Sequence, residues 1–326
     1  MNTETKVLVI GANGQLGSVL IGALQQKFGI DNVVGSDLKR KEGFEGIFEI
    51  ADATDQPRIQ ELVTKYKITQ IYHLAAILSA RGEENPLLTW DINMKTLFTV
   101  LEVSRLNNID RVFFPSSIAV FGTGAPLDNT PNNAYLDPAT VYGMSKAAGE
   151  NWVQYYFFKY GLDVRSLRYP GVIGYQSLPG GGTTDYAVDI YHKAVLGKEF
   201  TCFLKEDTTL PMIFMQDTIR ATLELMDAPK EQVKIRTSYN LAGISFSPAE
   251  IVAEIRKLYP DFKVNYKPDF RQEIAASWPK TIDDNAAARD WGWKPEYNLE
   301  GITTTMIQKL KEKYKTDSKN LKTILF

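Results

Sequence analysis

Residues 7–17 read Val7-Leu8-Val9-Ile10-Gly11-Ala12-Asn13-Gly14-Gln15-Leu16-Gly17. Four apolar residues make a short buried strand. Three glycines in GxxGxxG spacing follow at once, and helical periodicity begins at Gln15. A strand-to-helix turn this tight needs residues without Cβ. It also brings backbone close enough to seat a pyrophosphate, whose charge the helix N-terminus attracts. The spacing differs from the GxGxxG of the usual dinucleotide fingerprint, so the surroundings must support the reading. Asp37 does so. It ends the next strand about 20 residues on, where a carboxylate accepts hydrogen bonds from an adenosine ribose. A carboxylate there repels a 2′-phosphate, so NAD is favoured over NADP, although Lys39 and Arg40 follow closely. Asp52 and Ala53 come after the third strand, at the sheet edge where adenine would lie.

Outward from this loop, short apolar runs alternate with helical patterns. Strands are predicted at Val7–Ile10, Asn32–Ser36, Ile47–Ile50, Gln70–Leu74, Arg111–Pro115 and Asp163–Arg168. Helices are predicted at Gln15–Phe28, Pro57–Tyr66, Thr89–Leu106 and Tyr142–Tyr160. That alternation is the signature of a parallel sheet with right-handed crossover helices. The expected class is α/β, a Rossmann-type doubly wound parallel sheet with a smaller C-terminal substrate-binding lobe. Residues 1–170 form the NAD-binding domain and 171–326 mainly the lobe, with the boundary near Tyr169-Pro170-Gly171 and some later segments returning to the first domain. The second half is less regular. Helices are expected at Tyr186–Leu196, Gln216–Met226, Pro248–Leu258 with Ser247 as N-cap, Asn285–Trp291 closed near Gly292, and Leu299–Tyr314, with a short strand at Val264–Tyr266. The polar tail after Tyr314 is expected to fray, with Leu321–Phe326 available to dock.

The chain has 326 residues, 44% of them hydrophobic, enough for a large core in two lobes. A net charge of -2 gives no electrostatic reason to expect nucleic acid or an anionic membrane as partner. No run approaches the ~18 apolar residues of a membrane span, and no signal peptide precedes the first strand; a soluble, unprocessed protein is expected. Cys202 is the only cysteine, so no intramolecular disulfide can form, which fits a reducing cytoplasm. Without a basic cluster beside it, Cys202 reads as inert. His73 and His192 are the only histidines; both read as structural, and no metal site is expected.

Tyr142-Gly143-Met144-Ser145-Lys146 is the second informative motif. Residues four apart on a helix share a face, so Tyr142 and Lys146 point together into a cleft. An isolated phenol has a pKa of about 10, too high for a base at neutral pH. A nearby ammonium and a positively charged nicotinamide favour the phenolate and bring that value down. Such a pair exchanges protons without a metal. YxxxK alone is a weak pattern. Pro115-Ser116-Ser117, ending an upstream strand, strengthens it: a serine there can donate to a reacting oxygen, and open α/β sheets bind ligands at the carboxyl ends of their strands.

These elements, together with His73-Leu74-Ala75-Ala76, Asn93 and Arg168-Tyr169-Pro170-Gly171, run in order through about the first 170 residues. They resemble the extended short-chain dehydrogenase/reductase family. The resemblance implies NAD as cofactor, held by Gly11, Asn13, Gly14, Gln15, Leu16, Gly17, Asp37, Asp52, Ala53, Asn93 and Ser116. Leu74, Ala75 and Ala76 match the turn passing the cofactor's middle; Tyr169, Pro170 and Val172 match the segment beside the nicotinamide. Ser117 matches the residue that orients the substrate hydroxyl, Tyr142 the general acid/base, and Lys146 the lysine that binds the nicotinamide ribose and tunes the tyrosine. A helix asparagine on a buried face is the alternative reading of Asn93.

Over nearly the whole chain the likeness is nearest to the threonine-oxidising branch of that family. Leu178-Pro179-Gly180-Gly181-Gly182-Thr183-Thr184-Asp185 carries it, as a loop presenting hydroxyls and backbone groups to a small zwitterion. By this resemblance Ser79, Ser117, Tyr142, Gly182, Thr183, Thr184, Asp185 and Trp278 contact substrate, Trp278 as an aromatic wall. The implied reaction is metal-independent, NAD-dependent oxidation of L-threonine at its 3-hydroxyl to 2-amino-3-oxobutyrate. That product loses carbon dioxide to give aminoacetone, or a separate ligase cleaves it to glycine and acetyl-CoA.

Two other readings stay open. A nucleotide-sugar epimerase or dehydratase would share the cofactor half, and Arg220, Arg236, Arg256 and Arg271 in the second half suit a nucleoside diphosphate. A non-catalytic NAD-binding regulator would not need the tyrosine–lysine pair. In this family the helix carrying Tyr142 and the one before it often pair with their twins, so a homodimer through Thr89–Leu106 and Trp152–Phe158 is expected; the same residues could pack within the monomer.

Overall fold

A computed structural model describes residues 4–180 and 182–324, with side chains through Lys315. Gly181 and the last two residues lie outside this description, as does the expected docking of 321–326. The first half alternates as β1 (Val7–Ile10), α1 (Gly17–Phe28), β2 (Val33–Asp37), β3 (Ile47–Ile50), α2 (Gln56–Tyr66), β4 (Gln70–His73), α3 (Ser79–Gly82), α4 (Pro86–Leu106), β5 (Arg111–Ser117), α5 (Val141–Tyr160) and β6 (Val164–Tyr169). The second half continues with β7 (Gly171–Ile173), α6 (Tyr186–Val195), β8 (Phe200–Cys202), β9 (Leu210–Phe214), α7 (Met215–Asp227), β10 (Tyr239–Asn240), β11 (Ile244–Phe246), α8 (Pro248–Arg256), β12 (Val264–Tyr266), α9 (Arg271–Ala276), α10 (Asn285–Trp291) and α11 (Leu299–Ile324).

Local chemistry sets many of these bounds. Asp55 caps α2 by accepting from the Arg58 amide at 3.1 Å, with Pro57 in the first turn. Asn85 caps α4 through the Leu88 amide at 3.3 Å, and Pro86 follows it. The helix therefore starts three residues before the apolar periodicity does. Ser247 and Glu250 form a reciprocal capping box on α8. The last helix runs ten residues beyond Tyr314, to Ile324, rather than fraying there; no glycine or proline interrupts 315–324. Strands β7 to β11 have two to five residues each, too few for alternation to register, and only β12 of the later strands is visible in the sequence pattern.

The main sheet has seven strands in the order β10-β6-β5-β4-β1-β2-β3, every neighbouring pair parallel. The chain reverses direction across the sheet between β1 and β4, the switch point outside which open sheets bind ligands. Strand β10, from the second half of the chain, closes the sheet beside β6. A three-stranded sheet, β11-β9-β7, and the pair β12-β8 build the smaller layer. There Tyr186, Tyr191, Phe200, Phe214, Ile302 and Met306 share one buried apolar cluster. Strand β6 is tied to the end of α7 by Arg165, which donates to the carbonyls of Leu225, Met226 and Ala228 and pairs with Asp163 at 2.7 Å. Among the described residues, no helix is long and apolar enough to cross a membrane.

Candidate active site

The carboxyl ends of β1, β4, β5 and β6 border one cleft, and the loop before α6 and the segment after α9 form its far wall. From the glycine loop come Gly11, Gly14, Gln15, Leu16 and Gly17; from the end of β4, Leu74, Ala76 and Ser79. Ser116 and Ser117 enter from β5, Tyr142 and Lys146 from α5, and Tyr169, Pro170 and Val172 from the end of β6 and β7. Gly182, Thr183, Thr184, Asp185 and Trp278 close the wall. Leu78 and Ile118 line the same cleft and were not singled out in the sequence, whereas Pro115 and Gly171 were read there only as parts of their motifs. For Gly171 a steric signal exists. An added Cβ would meet Thr184 Cβ at 2.7 Å and Met212 Sδ at 2.4 Å, so the missing side chain lets the wall close on the sheet.

The glycine loop is shaped by contact. Gly11 has φ +88°, and a Cβ on it would stand 2.7 Å from the Ala75 nitrogen and 2.9 Å from the Leu74 carbonyl carbon. A Cβ on Gly17 would stand 2.2 Å from the Gly11 oxygen. Only glycine lets β1, the β4 turn and the start of α1 come this close. The cradle so formed, at the N-terminus of a 12-residue helix, has the form and polarity that suit a pyrophosphate. Asp37 braces it: its carboxylate accepts from the Asn13 amide at 2.9 Å and the Leu38 amide at 2.8 Å. Four lone-pair sites leave acceptor capacity for a ribose. Asn13 itself donates through its side chain to the Lys39 carbonyl at 2.6 Å.

Several predicted contacts lie off the cleft. Asp52 is exposed and accepts from the amide and hydroxyl of Thr54, both at 2.8 Å, in a local turn. Ala53 is packed into the apolar core with Ile59 and Leu62. Asn93 accepts from the Ile77 amide at 2.8 Å and donates to the Ile77 carbonyl and the Ser145 hydroxyl, both at 3.1 Å. These bonds face protein, so Asn93 braces the Ala75–Ser79 turn from behind, in keeping with its alternative reading. Ala75 meets the glycine loop through its backbone.

Helix α5 is pressed against β5. Thr140 caps it through the Gly143 amide at 3.1 Å. A Cβ on Gly143 would lie 2.1 Å from the Ala119 oxygen, and one on Gly149 2.6 Å from the Phe114 ring. This closeness lets Lys146, 5% exposed, donate from Nζ to the Pro115 carbonyl at 2.6 Å. The same Nζ sits 5.6 Å from the Tyr142 ring centroid. Burial pushes the Tyr142 phenol up to about 12, with a hydrogen bond from Ser117 pulling the other way. It also pushes Lys146 down to about 7, opposed by the charge of Glu150. The lowered phenol expected from the YxxxK spacing is thus not a property of the protein alone, because desolvation outweighs the lysine.

The remaining titratable candidates stand apart. His73 is buried and stacked on Phe114, and burial aided by Lys146 holds it down to about 3, a neutral imidazole. His192 lies away from the cleft, its Nδ1 2.7 Å from the Tyr314 hydroxyl. The buried Cys202 thiol is pushed up to about 11. In the far wall, Thr183 Oγ1 and Trp278 Nε1 are buried without a hydrogen-bond partner, although Thr183 is only 1% exposed. Asp185 folds its loop by accepting from the amides of Gly180 at 2.6 Å and Gly182 at 2.8 Å.

A doubly wound parallel sheet with a glycine cradle and a tyrosine–lysine–serine cleft at its switch point is the architecture of an NAD-dependent oxidoreductase. Residues 7–242 match the model of the NAD dependent epimerase/dehydratase family, and the chain belongs to that family. An uncharacterized epimerase/dehydratase of Staphylococcus haemolyticus is 42% identical over 94% of this chain and 98% of its own length. The GalE-like L-threonine dehydrogenase from Cupriavidus necator, in its holo form, is 50% identical and superposes with a TM-score of 0.93 over 94% of this chain and 100% of that one. A monomeric L-threonine 3-dehydrogenase from a metagenome is 47% identical, with a TM-score of 0.91 over 94% of this chain and 99% of its own. NAD is the cofactor of this chain.

Proposed function

We propose that the protein oxidises L-threonine at its 3-hydroxyl to 2-amino-3-oxobutyrate. The observation that carries this reading is the pairing, in one cleft, of Tyr142 and Ser117 with two buried polar groups that lack partners, Thr183 Oγ1 and Trp278 Nε1. A buried hydroxyl or indole N–H left unbonded costs about 1–3 kcal/mol, and a small polar substrate relieves that cost. Thr183 can donate to or accept from an amino acid's charged groups, whereas Trp278 can only donate, which suits a carboxylate. Similarity to the Cupriavidus necator and metagenomic dehydrogenases supports the choice of substrate.

Ser117 donates to the hydroxyl oxygen of the substrate and orients it. Tyr142, as phenolate, takes the hydroxyl proton and becomes the neutral phenol. Lys146 would hold the nicotinamide ribose, and it places positive charge beside the phenolate, lowering the cost of its formation. NAD, when bound, supplies the acceptor for the hydride that leaves Cβ of threonine. Gly11, Gly14 and Gly17 would hold its pyrophosphate and Asp37 its adenosine ribose. The test is NADH absorbance with purified protein, NAD and L-threonine, with D-threonine, L-serine and NADP in parallel. NADH formation from L-threonine and NAD is expected. Its absence, with epimerisation of a UDP-sugar, would replace this reading by the nucleotide-sugar one.

We further propose a homodimer through α4 and α5. Exposed apolar side chains concentrate on these helices, among them Leu87, Leu88, Trp90, Trp152, Tyr155 and Phe158, with Leu87 80% and Phe158 72% exposed. Large exposed apolar side chains gathered on two neighbouring helices suit an association site. Light scattering is expected to give twice the chain mass, and a monomer mass would refute the dimer.

A further inference from the structure

Helix α5 carries a third polar residue on the face that bears Tyr142 and Lys146, one turn further along. Glu150 is 0% exposed, and a carboxylate so buried must be paired. Its Oε1 accepts from the Ser116 hydroxyl at 2.6 Å and from Arg168 Nε at 2.9 Å; its Oε2 accepts from Arg168 Nη2 at 2.7 Å. Ser116 and Arg168 are register partners on β5 and β6. Two residues of α5 thus hold two consecutive residues of β5: Glu150 bonds Ser116 and Lys146 bonds Pro115. Arg168 turns its remaining donors away, to the Asn132 carbonyl at 2.7 Å and Asn240 Oδ1 at 3.1 Å. A buried ion pair adds little stability over an apolar pair of the same size, so its placement is better explained by what it touches.

We propose that Glu150 is a positioning residue of the proton-transfer site: through Ser116 it fixes the end of β5, and one helical turn from Lys146 it supplies the negative charge that favours this lysine as an ammonium. The proposal rests on the reading of Tyr142 and Lys146 given above. The charged and titratable groups facing Lys146 are Tyr142 and Glu150 on its own helix, His73 from β4, and Arg168 beyond Glu150 from β6. His73 is neutral and Tyr142 is neutral below its raised pKa. Glu150 is therefore the group whose charge favours the ammonium. Burial already brings Lys146 down to about 7, so little margin remains at neutral pH. Removing the carboxylate lowers the pH at which Lys146 gives up its proton.

The test compares Glu150→Gln, Glu150→Asp and the double variant Glu150→Gln/Arg168→Met, which leaves no charge unpaired if the single variant does not fold. The first readout is the titration of Lys146 in cofactor-free protein, by NMR of 13C-labelled lysine assigned with Lys146→Arg. The midpoint is expected to drop in Glu150→Gln, to drop less in the double variant, which loses the Arg168 charge as well, and to stay near wild type in Glu150→Asp. The second is the pH profile of kcat with L-threonine, whose acid limb is expected to move to lower pH and whose plateau is expected to fall. Each pH unit of that movement removes about tenfold of the ammonium form on the alkaline side. An unmoved Lys146 midpoint in a folded glutamine variant would reduce Glu150 to packing and overturn the proposal. If wild-type protein does not oxidise L-threonine, the substrate reading fails, and the cofactor-free titration still decides the role of Glu150.

Discussion

Tyr142→Phe is expected to lower kcat for L-threonine oxidation by about 10²–10⁴-fold, with NAD affinity and melting temperature close to wild type. The substitution removes one oxygen and leaves the ring that packs beside Ile118 and Lys146 in the cleft. Ser117 keeps its hydroxyl, whose oxygen accepts from the Ala119 amide at 3.2 Å, so the turn after β5 is retained. The pH profile supplies a second signature. In the proposed mechanism deprotonated Tyr142 is the active form, and burial raises its pKa to about 12; its contribution to rate therefore grows as pH rises toward that value. Protonated Lys146 is the active form of the lysine, and its pKa falls to about 7; its contribution is lost as pH rises through that value. The two titrations oppose each other, and wild-type kcat is expected to rise with pH up to about 7 and to level off above it, with apparent values that belong to the pair. In Tyr142→Phe the residual rate is expected to lose the acid limb. Stopped-flow NADH measurements from about pH 5 to about pH 10 would show both effects. Wild-type turnover by the phenylalanine variant would remove Tyr142 from the chemistry.

Gly11→Ala is expected to weaken NAD binding by about tenfold or more, equivalent to at least about 1.4 kcal/mol, and to lower the melting temperature. Two costs add. At φ +88° a Cβ is strained by about 1–2 kcal/mol. The same Cβ would also lie 2.7 Å and 2.9 Å from backbone atoms of Ala75 and Leu74, and backbone at the end of a central strand has little room to yield. The control is Gly22→Ala on the exposed face of α1, where an added Cβ meets nothing within 4 Å. There, alanine is expected to stabilise by about 0.5–1 kcal/mol through its helix preference. Calorimetric titration with NAD and thermal melts of both variants make the comparison. Equal NAD affinity in the two would show that the tight packing at Gly11 is not what shapes the cradle.

The first half of the fold was legible because its signals are local and strong. Val7–Ile10 and the glycines after it, the capped α2 and the long periodicity of α5 each state their structure within about a dozen residues. The cleft's cast was legible for a related reason. In a doubly wound sheet, residues at strand ends converge whatever their separation in sequence, so Gly11, Leu74, Ser117, Tyr142 and Tyr169 could be assigned to one place. The strands from β7 to β11 were illegible because two to five residues carry no measurable period. They exist by pairing with partners distant in sequence, as Tyr239–Asn240 does with β6.

Asp52 and Asn93 separate the two kinds of information most clearly. Position in the motif order places both at the cofactor. Side-chain hydrogen bonding shows what each does within the protein: Asp52 accepts from Thr54 through Oδ1, and Asn93 bonds Ile77 and Ser145. Glu150 is the converse case. Its spacing of four from Lys146 is plain in the sequence, yet nothing there reveals Arg168 and Ser116 closing around it.

By itself, then, the sequence determined the parallel α/β class, the cofactor loop and the tyrosine–lysine helix face, since each follows from spacing along one element. The charge states within the cleft, the unpartnered Thr183 and Trp278, and the buried Glu150–Arg168 pair were decided only by tertiary structure. Desolvation and hydrogen-bond partnership depend on which distant segments close over a group, and no local pattern encodes that.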